Sequence, residues 1–326
     1  MDLLVTGGAG YIGSVTVAHL LRAGHRVTVL DDLSRGWRQA VSPGVELIVA
    51  EMSDRIALES LFRKRRYDAV LHFAALIEAG ESMQAPERYF RNNTDNTLLL
   101  QETMLAHNVD RLVFSSTAAV YGDPARTPIE ESDPLLPTNV YGETKLKAEQ
   151  AMEEALRSRG LRFASLRYFN AAGASGDLGE NHRPETHLIP LALSVALGKR
   201  ANVSIFGTDY PTPDGTCVRD YIHVDDLASA HLLALDALEM AGHLIYNLGN
   251  GTGFSVRQVI EVVRRVTGHA IPAIECPRRP GDPAVLVASS AKIARELGWH
   301  AKHSRLEDIV RSAWDWLRSH PDGYAN

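Results

Sequence analysis

The chain has 326 residues, 45% hydrophobic and 23% charged, with a formal net charge of −6. That composition suits a globular protein with a buried core, in one large or two modest domains. It excludes a general nucleic-acid binder, which needs clustered Lys and Arg, and no apolar run approaches the roughly 18–20 residues of a membrane span. The one basic run, Arg63-Lys64-Arg65-Arg66, falls where a helix should end, and cations there suit the helix dipole. Cys217 and Cys276, the only cysteines, show no paired-ligand spacing and suit a reducing compartment. Asp2 stands where a signal peptide carries its basic region, and Gly7 interrupts the first apolar run. The sequence therefore reads as cytoplasmic.

In chain order, Leu3-Leu4-Val5 reads as a buried strand and 11–23 as a helix that stops at Gly24. Strands follow at 26–30, 45–49, 69–73, 111–115 and 163–166, with helices at 55–65, 84–106 and 141–158 between them. Strands alternating with helices imply βαβ units, hence a parallel sheet covered on both faces. Past about residue 170 Gly and Pro cluster at 171–184 and 207–217, and helices are expected at 187–198, 224–240, 255–267 and 305–318. Ser255 and Gln258 form a capping box, and Gly268 is a suitable stop. The expected fold class is α/β: a doubly wound parallel-sheet Rossmann fold with a smaller mixed α/β C-terminal lobe. The expected division is 1–170, with a return segment near 222–245, for the first domain and 171–326 for the second. Without a flexible linker, a ligand cleft should lie between them.

Gly7-Gly8-Ala9-Gly10-Tyr11-Ile12-Gly13 joins the first strand to the first helix. Glycines there permit a tight turn and close approach of backbone to a pyrophosphate, which the helix N-terminus then faces. Asp31-Asp32 closes the second strand. A carboxylate at that place accepts ribose hydroxyls and repels a 2′-phosphate, which selects NAD over NADP. Arg35 and Arg38 follow, and two aspartates ahead of them favour surface arginines over a phosphate clamp.

Tyr141 and Lys145 lie four apart at a helix start, so phenol and ammonium share one face. A neighbouring ammonium and the cationic ring of NAD would lower the phenol pKa from its free value of about 10. Ser115-Ser116-Thr117 ends a strand at the sheet edge where doubly wound folds bind ligands. Thr117, Tyr141 and Lys145 thus read as a relay that removes a proton from an alcohol while hydride leaves for NAD.

These motifs occur with His72-Phe73-Ala74-Ala75, Gly80-Glu81-Ser82, Arg167-Tyr168-Phe169-Asn170, Arg219-Asp220-Tyr221-Ile222-His223 and Arg279-Pro280-Gly281-Asp282. In that order they resemble the extended short-chain dehydrogenase/reductases, and within them the UDP-sugar 4-epimerases, nearly end to end. The resemblance implies NAD as a retained cofactor and interconversion of UDP-glucose and UDP-galactose through a 4-keto sugar, with Tyr141, Lys145 and Thr117 catalytic. It adds Glu51, Met52, Phe73, Ala74, Ala75, Asn93, Ser115 and Tyr168 to Gly7, Gly10, Tyr11, Ile12, Gly13, Asp31 and Asp32 as cofactor contacts, beside Tyr141 and Lys145 themselves. For the UDP-sugar it points to Thr117, Asn170, His187, Leu188, Phe206, Arg219, Arg279 and Asp282. Guanidinium forks suit a diphosphate. His187 reads equally as a structural histidine, and Phe206 as a core phenylalanine. No ligand spacing such as His-Glu-x-x-His stands out among the 13 histidines, so no metal is expected. A homodimer through 92–107 and 141–158 is implied by the same likeness.

The sequence departs from that pattern at Ala50-Glu51, Ile77 and Asn96, which touch the cofactor contacts, and at Leu286, where the family has a tyrosine. In that family a smaller residue there makes room for a 2-acetamido group, so the resemblance implies activity on UDP-GlcNAc and UDP-GalNAc as well. Thr117 is followed by Ala118-Ala119 rather than an acid/base pair, which excludes the 4,6-dehydratases. Epimerases of UDP-pentoses or UDP-uronates, and a non-enzymatic NAD-sensing regulator, remain alternatives.

Overall fold

A computed structural model describes residues 1–279 and 281–324. Its strands are β1 (Asp2–Thr6), β2 (Arg26–Asp31), β3 (Glu46–Val49), β4 (Ala69–His72), β5 (Arg111–Thr117), β6 (Arg162–Tyr168), β7 (Asn170–Ala172), β8 (Val203–Phe206), β9 (Val218–His223), β10 (His243–Leu248), β11 (Gly253–Ser255), β12 (Ala273–Cys276) and β13 (Val285–Leu286). The helices are α1 (Tyr11–Arg22), α2 (Arg55–Lys64), α3 (Ala79–Gln84), α4 (Pro86–Tyr89), α5 (Asn96–Ala106), α6 (Val140–Arg159), α7 (Leu188–Ala196), α8 (Val224–Ala237), α9 (Val256–Thr267), α10 (Ala291–Leu297) and α11 (Leu306–Ser319).

Seven strands form the main sheet in the order β10-β6-β5-β4-β1-β2-β3, every pair parallel. Leu3, Leu4, Val5, Val70, Leu71, Leu112, Val113 and Phe114 are wholly buried, as strands covered on both faces must be. One apolar layer joins Leu3, Val5, Val17 and Leu20 to Leu227, Ala234, Leu235 and Tyr246. The other joins Leu4, Leu58 and Phe62 to Leu100, Met104, Met152 and Phe163. The order in which the chain lays down strands reverses between β1 and β4, the switch point at which doubly wound folds bind ligands. The doubly wound α/β expectation is met. The seventh strand, β10, and α8 belong to this sheet and its cover.

A second cluster of elements follows. Strands β11, β9, β13 and β7 form one small sheet, and β12 pairs with β8 in parallel. Their core joins Ile189, Leu193, Val259, Val263, Ile309 and Trp314, and burying each aliphatic side chain stabilises by about 1.5–3 kcal/mol. The α9 capping box is present, with Ser255 Oγ accepting from Gln258 N and Gly268 left-handed at the C-terminus.

One expected helix is interrupted. The pattern over 84–106 becomes α4, a π-helical turn over Phe90–Asp95, and α5. Pro86 cannot continue α3, so the chain restarts there. Asn92 and Asn93 both accept from Leu76 N, so this turn holds the segment after β4 in place.

Candidate active site

Two adjoining cavities run along the C-terminal edge of the main sheet. The first, about 500 Å³, is floored by the loop after β1 and reaches Thr117, Tyr141 and Lys145. The second, about 860 Å³, lies under α7 and is walled by Phe206, Arg219, Arg279 and Asp282. Asn170, His187, Glu180, Glu78 and Arg35 border both.

The glycine loop is built by close approach. Gly7 has φ +72°, and a Cβ there would lie 2.5 Å from Ala74 N; one at Gly13 would lie 2.2 Å from Gly7 O. No larger residue fits either place without moving backbone. Gly10, Tyr11 and Ile12 also line the cavity, and Tyr11 anchors α1 by donating its hydroxyl to Gly173 O at 2.6 Å. Asp31 Oδ2 accepts from Ala9 N at 3.0 Å and Oδ1 from Leu33 N at 2.9 Å. Burial pushes the Asp31 carboxyl pKa up, and those two N–H groups pull against it. Each oxygen keeps a lone pair for a ribose hydroxyl. Asp32, Glu51, Met52, Phe73, Ala74 and Ala75 complete this end. These features fit a dinucleotide: a glycine cradle at a helix N-terminus with a carboxylate at the end of the next strand.

Asn93 is a correction. It is buried and does not line either cavity. Its amide donates to Leu76 O at 2.9 Å and to Thr144 Oγ1 at 3.2 Å, so it braces α6 from behind. Asn92 and Asn96 reach the cavity instead.

Beside the first cavity, Asn139 caps α6 by accepting from Gly142 N, and Tyr141 N donates to Ser82 Oγ at 3.0 Å. A Cβ on Gly142 would lie 2.4 Å from Ala119 O, so only glycine lets α6 start this close to the end of β5. Lys145 is 2% exposed, and its Nζ donates to Ser115 O at 2.9 Å. Ser115 and Tyr168 hydrogen bond through their hydroxyls. Behind Lys145, His72 bonds to Thr6 and Thr97 through its two ring nitrogens and serves as a brace.

The electrostatics differ from the sequence expectation in one respect. Burial pushes the Tyr141 phenol up to about 12, against a hydrogen bond from Thr117 that lowers it. Burial also brings Lys145 down to about 7, with Glu149 opposing. The influences on the phenol are its burial, Thr117 and the Glu78 carboxylate, with Lys145 not among them.

In the second cavity, Arg219 donates to Val218 O and Pro283 O at 2.9 Å and lies 3.6 Å from Asp282. The exposed Arg279 guanidinium covers the Phe206 ring at 3.9 Å from its centre. Leu188 lines the same wall. Pro280 of the Arg279–Asp282 motif lies outside the described residues. Asp220 is structural: its carboxylate accepts from Asn250, Gly251 and Ala288 N–H groups. Leu286 pairs in register with Arg219 and packs beside Val120, Tyr121 and Ile129 rather than lining a cavity.

Two features escaped the sequence reading. Arg35, taken for a surface residue, borders both cavities and lies 3.6 Å from Glu78 and from Glu81. Glu180, His182, Glu185 and His187 also converge within 4.8 Å of one another, although no metal-ligand set was expected. The signal was the alternation Glu-x-His-x-x-Glu-x-His.

Comparison with known proteins adds to this geometry. The chain is 53% identical to a UDP-glucose 4-epimerase of Halalkalibacterium halodurans over 100% of its own length and 98% of that protein's. Among solved structures it superposes on a UDP-glucose 4-epimerase with a TM-score of 0.97 at 46% identity, covering 100% of both chains. The UDP-glucose 4-epimerase of Bifidobacterium longum, solved with NAD+ and UDP, matches with a TM-score of 0.95 at 38% identity over 99% of this chain and 100% of that one. Residues 3–249 match the NAD dependent epimerase/dehydratase family, and the chain belongs to that family.

Proposed function

We propose that the chain is an NAD-dependent UDP-glucose 4-epimerase, interconverting UDP-glucose and UDP-galactose. The observation that carries this reading is the junction. The cavity that holds Thr117, Tyr141 and Lys145 beside the glycine loop adjoins, across Asn170 and His187, a second cavity walled by Arg219 and Arg279.

In this reading Gly7, Gly10, Tyr11, Ile12, Gly13, Asp31, Asp32, Glu51, Met52, Phe73, Ala74, Ala75, Ser115 and Tyr168 hold the cofactor. When bound, NAD supplies a hydride acceptor for C4 and the positive charge of its nicotinamide ring. Tyr141 takes the proton of the sugar 4-hydroxyl, with Thr117 bridging the two oxygens. Lys145, poised near pH 7, adds charge on the Tyr141 face of α6 as the phenolate forms. Arg219 and Arg279 bind the diphosphate, Asn170, His187 and Asp282 position it, and Phe206 and Leu188 border the nucleoside. Holding the nucleotide firmly and the sugar loosely lets the 4-keto sugar present either face.

Leu286 does not line the cavity but pairs in register with Arg219, which does; with no aromatic ring at that position beside the wall, the reading extends to UDP-GlcNAc and UDP-GalNAc. The first domain, 1–170 with β10 and α8, is assigned to the cofactor, and the rest to the UDP-sugar. A homodimer through α5 and α6 and a cytoplasmic setting, consistent with two free cysteines, complete the proposal. The test incubates purified protein with UDP-galactose and no added NAD. UDP-glucose should accumulate to equilibrium, whereas a folded, NAD-loaded protein that makes none sinks the reading.

A further inference from the structure

Glu180, His182, Glu185 and His187 lie on the segment that separates the two cavities. Glu180, His182 and His187 border the first; Glu180, Glu185 and His187 border the second. Glu180 Oε1 is 3.1 Å from His182 Nδ1 and 2.8 Å from His187 Nδ1. Glu185 approaches His187 Nδ1 at 3.1 Å and His182 Nδ1 at 3.9 Å. Four ligands in a tetrahedron around zinc, at their usual distances, stand roughly 3.3–3.6 Å from one another. The spacing here brackets that value.

A simple ion-pair cluster accounts for less of this. His182 Nδ1 is buried without a hydrogen-bond partner, although a carboxylate oxygen is 3.1 Å away. The contact between His182 and Glu180 is thus close without being a donor aligned on its acceptor. The two imidazole rings are also only 5.2 Å apart between centres. One divalent ion placed between them can accept a lone pair from each ring together with one from each carboxylate.

We propose that Glu180, His182, Glu185 and His187 bind one divalent transition-metal ion of the zinc class. Two imidazole nitrogens and two carboxylate oxygens suit zinc better than calcium or magnesium, which take all-oxygen sets. Four protein ligands close the coordination sphere, so the ion positions rather than reacts. It ties the ends of a segment already held by Trp37 Nε1 donating to Asn181 O and Trp316 Nε1 donating to Asp177 O. His187, held through Nδ1, keeps Nε2–H as a donor of fixed tautomer.

The test uses the full chain purified without a metal-affinity tag. Elemental analysis after dialysis against zinc-containing and then metal-free buffer should find about one zinc per chain. Replacement by Co2+ should give the visible absorption of tetrahedral cobalt, and chelation should lower Tm until Zn2+ restores it. The His182→Ala, Glu185→Ala double variant should lose both the zinc and the cobalt bands. Folded wild type that retains less than about a tenth of an equivalent and gives no cobalt bands overturns the proposal. Wild-type metal binding decides the matter even where the double variant fails to fold. Metal content is read independently of turnover, so a negative result leaves the epimerase reading untouched.

Discussion

In the first cavity Lys145 is 2% exposed and spends its ammonium on a backbone carbonyl, while in the second Arg279 is exposed and rests on the Phe206 ring. The chemical end is held in place by the protein's own contacts. Ser82 and Asn139 fix the start of α6, Gly142 lets it approach β5, and Asn93 braces it from behind. That organisation costs stability, since burial opposes ionisation of both Tyr141 and Lys145. The recognition end leaves Arg279 exposed and sets Arg219, only 13% exposed, at 3.6 Å from Asp282, beyond a direct hydrogen bond. Such pairs are weak and can be exchanged for a diphosphate at little cost. Preorganisation should therefore appear in kcat, and recognition in KM.

The largest effect expected is on the chemical end. Tyr141→Phe removes the proton acceptor and should lower kcat by about a thousandfold, within the usual range of acid–base contributions. NAD content and Tm should stay near wild type; retained activity would break the contrast. Next comes the cost of organisation. Lys145 titrates near 7 when folded and at about 10.4 unfolded. Between those values the unfolded chain binds the extra proton, so this destabilisation is full below pH 7 and fades as pH rises toward 10. Lys145→Met should thus raise Tm over wild type by a few degrees at pH 6 and by less at pH 10, while turnover falls. A gain independent of pH would mean that Lys145 bears no such cost.

At the recognition end, Arg219→Ala should raise KM for UDP-galactose by on the order of tenfold or more, with a far smaller change in kcat, the loss of a charge-assisted hydrogen bond. An equal fall in kcat would erase the distinction between the two cavities. The smallest effect concerns breadth: Leu286→Tyr should reduce turnover of UDP-GlcNAc relative to UDP-glucose by a few fold. An unchanged ratio would remove Leu286 from specificity.

Much of the fold was legible because its signals are local. Leu3-Leu4-Val5 and the glycines after it declare a strand, a turn and a helix within a dozen residues, and Ser255 with Gln258 announces α9. The short strands β7, β11 and β13 were not, since each is two or three residues long and defined only by pairing with β9. The π-helical turn at Phe90–Asp95 was also hidden, because it depends on asparagines reaching Leu76 rather than on any apolar period. Of the residues read as the site, Asn93 and Leu286 stand behind the cavity walls. Arg35 was hard to place for the opposite reason: only the tertiary fold brings it beside Glu78 and Glu81. The convergence of Glu180, His182, Glu185 and His187 matches no familiar ligand spacing and emerges only when the loop folds back.

The central claim is a relay at Thr117, Tyr141 and Lys145 that works with a retained cofactor and no net redox change. Its most direct test follows deuterium placed at C4 of UDP-galactose, in ordinary water and without added NAD. The account predicts UDP-glucose with the label still at C4 and no accumulation of reduced cofactor. Loss of the label to water would contradict it, as would conversion that stops without a continuing supply of external NAD.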